Sequence, residues 1–451
     1  MSTQGTRDYR PFLHYTPPKG WINDPNGLVW DGSAYHLFAQ HYPYSANGGP
    51  PHWIHATSSD LIHWKHLGIP LAPDELGYIF SGCAVWDKEN TSGLGAKGSP
   101  IVAVFTHHGE FQQQSIAWSD DGVNFTKYPG NPVIPSNLKN FRDSKVFPNS
   151  VLGGWTAVIA AGDEVRFFHS DDLIHWVKSG SFGKAENKLG GVFECPDLFA
   201  LKAPDGKAVW VLTTSVTHPP EAGGCRSQYF LGTFDGHSFR QTILTGGTLL
   251  LESGHDNYAA VTFFGVSPAL QIGWASNWSY AGDLPTGEYC GQMTLARSLS
   301  LAKTKAGLRL AALPVLPPLV NTQAVLTGGK LPSEVFVLDV TANGAFEAVL
   351  ANAMDERFVF GLDASGVFYT NRERSGEAVI NRYYNSPLYR RTAAQRLMTG
   401  PVIVRLVFDR SIAELFADGG TYVSTTLVFP SKPYDTVKLN RCSATVSELV
   451  Y

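Results

Sequence analysis

The chain has 451 residues and a formal net charge of −4, with 43% hydrophobic and 16% charged residues. This length and apolar content allow one large domain, or two to three ordinary ones, with complete cores. The low charge and the small size of the longest basic cluster, Tyr389–Arg391, argue against a nucleic-acid-binding protein. No apolar run approaches the roughly 18 residues that a membrane-spanning helix needs, so we expect no membrane partner.

The start of the chain lacks the apolar segment of a secretory signal. We therefore expect a cytoplasmic protein, or a secreted one if a leader has been removed before residue 1. The five cysteines stand at Cys83, Cys195, Cys225, Cys290 and Cys442, and none forms a Cys-x-x-Cys pair. Scattered cysteines of this kind are typical of reduced, structural thiols.

The first distinctive segment is Trp21–Gly27, which reads Trp-Ile-Asn-Asp-Pro-Asn-Gly. Asp-Pro-Asn-Gly by itself predicts a tight turn, with proline in the second position and glycine closing it. Amide donors of such a turn would favour the ionised form of Asp24. Because two further carboxylate clusters follow, we interpret Asp24 as a candidate catalytic group.

A short pattern of Asp followed by an aromatic residue recurs through the first half of the chain. Its copies begin at Asp60, Asp121, Asp172 and Asp235, and each indicates a turn that enters a strand. A spacing of about 50 to 60 residues with strand-rich content is typical of propeller blades, and about five blades fit between residues 10 and 300. The inner strands of such blades meet at one axis, which brings distant residues together.

Two more carboxyl groups follow the first cluster. Asp143 comes directly after Arg142, and neighbours in a strand normally face opposite sides. Glu194 stands between apolar residues and Cys195, so we expect partial desolvation to favour its protonated form. Pro196 predicts a chain end or a bulge at this point.

One ionised and one protonated carboxyl group are the parts of a glycosidase. We expect Asp24 to attack the anomeric carbon, and Glu194 to protonate the leaving oxygen and then to activate water. Asp143 would accept hydrogen bonds from sugar hydroxyls that strengthen in the transition state. A retaining reaction and a carboxyl separation of roughly 5–5.5 Å between Asp24 and Glu194 are the corresponding predictions.

The composition changes after residue 310. Leu313–Leu319 is rich in proline and predicts a connector, and strand-like runs separated by Gly-containing turns follow it. We therefore predict an all-β chain with a five-bladed β-propeller at 1–310, a linker at 311–324 and a C-terminal β-sandwich at 325–451.

Together these segments resemble the signature set of glycoside hydrolase family thirty-two, the family of invertases, inulinases and levanases. The family's W-M/I-N-D-P-N-G, F-S-G, R-D-P and E-C-P motifs are similar, in this order, to the segments that begin at Trp21, Phe80, Arg142 and Glu194. Four further segments resemble the family: Leu37–Pro43, Trp53–Ser58, Ile272–Trp278 and Asp409–Phe416. Several dispersed motifs in order are far more specific than any one of them.

The resemblance implies a five-bladed propeller joined to a sandwich, and a hydrolase that releases terminal fructose from sucrose or fructans. It implies Asp24 as nucleophile, Asp143 as transition-state stabiliser and Glu194 as acid/base. Residues that match the family's fructose-binding positions are Asn23, Gln40, Trp53, Phe80, Ser81 and Arg142, while Asp256, Tyr258 and Trp274 resemble positions near the pocket. We expect no metal and no cofactor, a small sugar or fructan as partner, and a homodimer as one candidate assembly because family sandwiches often help to form dimers.

One departure from the family is Ser144, which stands where the family has proline. Proline would fix its own backbone and restrict that of Asp143. Serine therefore loosens the positioning of Asp143 while we expect its role to be kept.

The residues leave several alternatives open. The substrate could be sucrose, inulin, levan, a short oligosaccharide or sucrose phosphate, and a fructosyltransferase or an endo-acting levanase or inulinase would use the same groups. A non-catalytic fructan-binding protein is disfavoured because a binder needs no acid/base pair. A metal-dependent hydrolase is disfavoured because His63, His66, His107 and His108 lack the spacing of a zinc site.

Overall fold

The computed structural model describes residues 7–244, 247–376 and 380–451, which are almost entirely β-structure. Five sheets precede Val315, and two sheets follow it. The innermost strands of the first five sheets contact one another in a closed ring, so these sheets are the blades of a β-propeller. The predicted propeller followed by a sandwich is confirmed.

In each blade the strands run antiparallel and outward from the ring in chain order. Blade 1 contains β1 (Gly20–Trp30), β2 (Tyr35–Tyr42), β3 (His52–Ser58) and β4 (Lys65–Leu71). Blade 2 contains β5 (Tyr78–Trp86), β6 (Ile101–His108), β7 (Gln112–Ser119) and β8 (Thr126–Lys127). Blade 3 contains β9 (Arg142–Pro148), β10 (Trp155–Ala161), β11 (Glu164–Ser170) and β12 (Val177–Phe182).

Blade 4 includes one extra short strand, and another short strand lies between two strands of blade 5 in the chain but pairs with blade 1. Blade 4 contains β13 (Phe193–Lys202), β14 (Ala208–Val216), β15 (Arg226–Phe234) and β16 (Phe239–Ile243), with β17 (Leu249–Leu250) paired to β15. Blade 5 contains β18 (Tyr258–Thr262), β19 (Leu270–Trp274) and, after β20 (Tyr289–Cys290), β21 (Arg297–Thr304) and β22 (Gly307–Pro314). The strand β20 pairs in parallel with β1, which joins the end of the propeller to its beginning.

The propeller core lies between neighbouring blades. Val102, Val104 and Ile116 of blade 2 pack with Val146 and Ala157 of blade 3 in one buried cluster. Each blade is covered by a neighbour on both faces, so its central strands are apolar throughout and show no alternation of polar and apolar residues.

The repeated Asp pattern marks the same corner of four blades. Asp60, Asp121, Asp172 and Asp235 each lie between the third and fourth strands of their blade. One carboxylate oxygen of each accepts hydrogen bonds from the backbone N–H groups two and three residues later. These turns satisfy amides that would otherwise lack partners, and the predicted turns are confirmed.

The sandwich consists of two six-stranded antiparallel sheets. One sheet contains β23 (Leu319–Val325), β25 (Val335–Ala342), β30 (Val402–Asp409), β31 (Ile412–Ala417), β32 (Tyr422–Leu427) and β34 (Ser443–Leu449). The other contains β24 (Gly329–Lys330), β26 (Phe346–Ala351), β27 (Arg357–Leu362), β28 (Val367–Arg374), β29 (Arg391–Gln395) and β33 (Thr436–Asn440). Their facing sides share a core that includes Phe336, Phe360 and Phe408.

Helical structure in the described ranges is limited to four short pieces. These are α1 (Pro387–Arg390) and the 3-10 turns Pro220–Ala222, Ala281–Asp283 and Asp418–Gly420. Within residues 7–244, 247–376 and 380–451, no helix has the length and apolar character to cross a bilayer.

The segment predicted as a linker, 311–324, is mostly strand. The strand β22 continues to Pro314 in the propeller, and β23 starts at Leu319 in the sandwich, so residues 315–318 alone connect the two sheets. Pro314 is compatible with β22 because it ends an edge strand, where a missing N–H breaks no ladder.

Buried ion pairs join the two domains. Asp256 of the propeller accepts a hydrogen bond from Arg372 of β28 at 2.6 Å and from the backbone N–H of Leu427 at 2.8 Å. Arg297 of β21 pairs with Glu414 of β31 at 3.2 Å. All four charged side chains are at most 3% exposed, so removing one partner would leave an uncompensated buried charge.

Candidate active site

The inner strand of every blade carries a β-bulge near its start. The bulges lie at Asn23–Asp24, Phe80–Ser81, Asp143–Ser144, Cys195–Pro196 and Ala259–Ala260. A bulge sets two residues against one and re-aims a side chain, so five distant segments direct groups toward one end of the axis. They border an open cavity of about 310 Å³. The cavity is lined by Asn23, Asp24, Gln40, Phe80, Arg142, Asp143, Glu194, Thr217, Tyr258 and Trp278.

Asp24 lies in the bulge of β1, and the tight turn that the sequence predicted is wrong. Pro25 lacks an N–H, and a bulge is a place in a sheet where this is tolerated. The Asp24 carboxyl group is buried and accepts hydrogen bonds from Ser81 Oγ at 2.6 Å and from Asn23 Nδ2 at 3.1 Å. Ser81 Oγ also accepts a hydrogen bond from Gln40 Nε2. Side chains, and not turn amides, therefore surround this carboxyl group.

The proton affinity of Asp24 also differs from the expectation. Burial raises the pKa of Asp24 above its usual range, the negative charge of Glu194 adds to this, and the hydrogen bonds from Ser81 and Asn23 act against it. The net direction is upward, so the free site resists ionisation of Asp24.

Asp143 faces the cavity because its backbone is left-handed, with a φ of 62°. In a regular strand Arg142 and Asp143 would point to opposite faces, but the bulge turns both toward the cavity. The N–H of Cys195 donates to Asp143 Oδ2 at 3.0 Å, and the N–H of Asp143 donates to Thr106 Oγ1 at 3.0 Å. These bonds hold a backbone conformation that costs free energy for a residue with a Cβ.

The charge state of Asp143 depends on its neighbours. Burial raises the pKa of Asp143 to about 7, the negative charges of Asp24 and Glu194 raise it as well, and the Arg142 guanidinium opposes the increase. Three carboxyl groups and one guanidinium therefore share this cavity, and like charges at short range resist ionising together.

Ser144 is fixed although it lacks the proline ring. Its side chain is buried, and its Oγ donates to the carbonyl oxygen of Val104 at 3.3 Å. Packing and hydrogen bonding thus constrain the backbone next to Asp143, where the motif that the sequence resembles has proline.

Glu194 is the most exposed of the three carboxyl groups, with 22% of its side chain accessible. Its Oε1 accepts a hydrogen bond from Arg142 Nη2 at 2.9 Å, and its Oε2 accepts from Thr217 Oγ1 at 2.7 Å and from the Tyr258 hydroxyl. The predicted apolar surroundings are wrong, because strand alternation directs Phe193 into the core between blades 3 and 4 and Glu194 into the cavity. Three donors orient this carboxyl group.

Cys195 connects two of the carboxyl groups. Its Sγ lies 3.4 Å from Asp24 Oδ2 and 3.7 Å from Asp143 Oδ2. Burial raises the pKa of this thiol well above its usual value, and the charge of Asp24 adds to the effect, so the thiol stays neutral and can donate to either carboxylate. Blades 1, 3 and 4 are thereby joined at the site.

The aromatic wall of the cavity is Trp278, which is 43% exposed and stacks on Trp21 at a centroid distance of 5.8 Å. Trp274, which the resemblance placed near the pocket, ends β19 fully buried and packs behind Trp278 at a centroid distance of 4.7 Å. Trp53 is also fully buried, and its Nε1 donates to the carbonyl oxygen of Phe80 at 3.1 Å. Phe80 lines the cavity, whereas Trp53 and Trp274 support it from behind.

Asp256 lies outside the cavity, although the sequence placed it near the pocket. Its carboxylate oxygens accept hydrogen bonds from Arg372, from the backbone of Leu427 and from the Tyr280 hydroxyl. Asp256 is therefore a structural group of the domain interface. Sequence spacing could not show this role, because it depends on contacts between the two domains.

Thr217 is a lining residue that the sequence did not single out. It follows β14 directly, and its Oγ1 bonds to Glu194 Oε2 and lies 2.9 Å from the Tyr258 hydroxyl. A single threonine after an apolar strand resembles any strand end, so the sequence carries no signal for it.

The arrangement unites the parts that acetal cleavage by double displacement needs. Asp24 and Glu194 come from blades 1 and 4 and line one cavity. Asp24 is enclosed by side chains that donate hydrogen bonds to it, while Glu194 lies nearer to solvent, where a leaving group and water can reach it. Such a pair provides one group for attack and one for proton transfer.

Two family models match the chain. The model described as "Glycosyl hydrolases family 32 N-terminal domain" matches residues 14–312, and the one described as "Glycosyl hydrolases family 32 C terminal" matches residues 333–451.

Individual proteins are similar over nearly the whole chain. The chain is 37% identical to a levanase of Bacillus subtilis (strain 168) over an alignment of 456 positions, gaps included, which takes in 94% of this chain and 67% of the levanase. The crystal structure of an exo-inulinase from Aspergillus awamori superposes with a TM-score of 0.88 at 28% identity, covering 100% of this chain and 99% of that one. The structure of a fructofuranosidase from Schwanniomyces occidentalis complexed with fructose gives a TM-score of 0.88 at 28% identity, covering 98% and 99%.

Proposed function

The chain belongs to glycosyl hydrolases family 32, and on this premise we propose that it is a retaining β-fructofuranosidase that releases terminal non-reducing fructose from sucrose, fructo-oligosaccharides or fructans. The observation that carries the proposal is that Asp24 and Glu194 line one cavity from two non-adjacent blades. Similarity to a levanase and to an exo-inulinase supports a fructan as substrate.

The proposed reaction has two steps. In the first step Asp24 attacks the anomeric carbon of the fructosyl unit while Glu194 gives its proton to the glycosidic oxygen, so the C–O bond breaks and a fructosyl ester of Asp24 forms. In the second step Glu194, now a carboxylate, takes a proton from water, which attacks the same carbon. Free fructose leaves with its configuration retained, and Asp24 is restored as a carboxylate.

Charge sharing keeps a proton in the cavity for the first step to use. Burial raises the pKa of both Asp24 and Asp143, and the guanidinium of Arg142 bonds to Glu194 and lies 3.7 Å from Asp143. A cavity with three carboxyl groups and one cation favours states that retain a proton. A retained proton is what the first step transfers to the leaving oxygen.

The lining of the cavity suits a single furanose ring. Asn23 and Gln40 present amide groups that donate to and accept from hydroxyls, and Asp143 offers an acceptor. Phe80 and Trp278 provide aromatic faces for the apolar side of the sugar. We assign the fructosyl unit to the inner part of the cavity and the leaving group to the mouth near Trp278.

The test is fructose release from sucrose, a short fructo-oligosaccharide, inulin and levan, measured side by side. The wild type should release free fructose without accumulating oligomers of intermediate length, and NMR should detect the β-anomer first. Product analysis at high sucrose separates hydrolysis from fructosyl transfer.

Two variants test the assigned roles. Asp24→Asn and Glu194→Gln should each lower kcat by about 10³-fold or more, because each removes a covalent or a proton-transfer role, with an unchanged thermal midpoint as the folding control. The proposal is rejected if the wild type releases fructose from none of the four substrates. It is also rejected if either variant works at the wild-type rate.

A further inference from the structure

A second open cavity, of about 660 Å³, lies at the end of the propeller opposite the catalytic one. Trp30, Trp86 and Pro148 line it and end the inner strands β1, β5 and β9, whose starts carry bulges at the catalytic cavity. The six residue steps from Asp24 to Trp30 span about 20 Å of strand. The two cavities are therefore separate sites on one molecule.

Aromatic rings from four blades dominate this second cavity. Trp30 and Trp86 are half-buried at its sides, while Trp155 and Phe264 lie in contact with a centroid distance of 6.3 Å. Gly32 lies at the outer edge of the six-membered ring of Trp86, where a Cβ would approach the ring to 2.9 Å. Among the described residues that line the cavity, none is Leu, Ile, Val or Met. Flat rings without branched aliphatic groups suit a ligand with flat apolar faces.

Polar groups accompany these rings along one edge. Lys88 holds its Nζ 4.3 Å from the centre of the Trp86 ring, and Glu89 is exposed beside it. The buried carboxylate of Asp87 accepts hydrogen bonds from the backbone and hydroxyl groups of Thr91 and Ser92, which fixes the segment 87–92. A charged donor and an acceptor therefore stand on a rigid segment next to the rings, and little ordering is needed on binding.

We propose that this cavity is a second carbohydrate-binding site that takes an internal segment of a β-linked fructan chain. The inference rests on the proposed function, because the ligand is the polymeric form of the proposed substrate. Apolar C–H faces of furanose units lie against Trp30 and Trp86, and hydroxyls bond to Lys88 and Glu89. Binding here keeps the polymer near the enzyme and raises the effective concentration of chain ends at the catalytic cavity. This binding does not change the rate of sucrose hydrolysis, because sucrose is not a polymer.

Binding is tested without turnover in the Glu194→Gln background, by electrophoresis through gels that contain levan or inulin. Adding Trp86→Ala or Trp30→Ala should weaken the retardation constant by about threefold to tenfold, the effect of losing one stacked ring. Tyr451→Ala, which removes an aromatic side chain that is 44% exposed on the sandwich side, is the matched control and should bind as the parent does.

Kinetics of the same substitutions in the active enzyme complete the comparison. In Trp86→Ala, kcat/KM should fall for levan or inulin and stay unchanged for sucrose. Retardation equal to that of the parent protein in both tryptophan variants overturns the second site. A wild type that retains polymer binding but releases no fructose overturns the proposed function and leaves the second site supported.

A measurement on unaltered tryptophans covers the case in which a variant fails to fold. In the Glu194→Gln protein, levan should slow oxidation of Trp30 and Trp86 by N-bromosuccinimide, as read from the oxidised peptides by mass spectrometry. Sucrose should slow oxidation of Trp278 alone among these three. Equal oxidation of Trp30 and Trp86 with and without levan and inulin overturns the proposal.

Discussion

Arg142 of β9 donates through Nη2 to Oε1 of Glu194 in β13 at a distance of 2.9 Å. The two residues belong to inner strands of neighbouring blades, and the same guanidinium also donates to Gln112 and Asn140. The cation is therefore held rigidly at the point where the carboxyl groups accumulate negative charge. Its removal should change how protons are distributed in the site.

The first prediction concerns the pH dependence of Arg142→Gln. The Arg142 charge lowers the pKa of Asp143 against burial, so its loss raises that pKa further. The acid-side midpoint of the kcat/KM profile should move to higher pH, and kcat should fall. Arg142→Lys keeps the charge and should shift the midpoint less. An unchanged acid limb in Arg142→Gln contradicts the assignment.

The second prediction is that Asp143→Asn stabilises the fold while it damages catalysis. Below about pH 3 the carboxyl group is protonated in both folded and unfolded chains. As pH rises from about 4 to 7, the unfolded state loses this proton first because burial holds the folded pKa at about 7, and wild-type stability falls. The thermal midpoint of Asp143→Asn should thus exceed that of the wild type at pH 8 and nearly equal it at pH 4.

Asp172→Asn is the control with the opposite sign. Burial alone would raise the pKa of Asp172, but hydrogen bonds from the side chain and backbone of His175 outweigh it and lower the pKa to about 2. This group contributes stability that is present above its unfolded pKa and is lost as pH falls toward 2. Asp172→Asn should therefore be less stable than the wild type at pH 8. The same sign in both variants would refute the burial argument for Asp143.

The third prediction separates two tryptophans four positions apart. Trp278→Ala removes an exposed ring from the cavity mouth, so KM for sucrose should rise by about threefold to tenfold with an unchanged thermal midpoint. Trp274→Ala opens a hole in the buried cluster that Trp274 shares with Trp21 and Tyr258, and should cost about 3–5 kcal/mol of stability. Denaturant unfolding and steady-state kinetics measure the two effects. A kinetic defect without a loss of stability in Trp274→Ala would show that Trp274 contacts the substrate.

The fourth prediction concerns the interface pair of Asp256 and Arg372. Arg372→Met leaves the Asp256 carboxylate buried without its cation and should cost about 3–5 kcal/mol of stability. The KM of the surviving folded enzyme should stay unchanged, since neither residue lines the cavity. The double variant Asp256→Leu with Arg372→Met should recover part of the loss. A raised KM with unaltered stability would support the sugar-binding role first inferred for Asp256.

The sequence located the three carboxyl groups of the site correctly, but it described their surroundings less well. Periodic copies of an Asp turn predicted blades that bring distant residues together, and the motif clusters with their family resemblance singled out Asp24, Asp143 and Glu194. The turn at Asp24 and the apolar environment of Glu194 were wrong, because both inferences used neighbours along the chain. In the fold, neighbours across blades surround these groups: Ser81 at Asp24, and Arg142 and Thr217 at Glu194.

The sequence by itself determined the all-β architecture, since repeated turns and apolar strands are local patterns that survive without knowledge of contacts. It also determined which carboxyl groups are present at the site. The tertiary structure alone decided which aromatic residue lines the cavity, which acid belongs to the domain interface and how far each carboxyl group is desolvated. These properties depend on bulges that re-aim single side chains and on contacts between blades, and both are long-range features that no segment encodes alone.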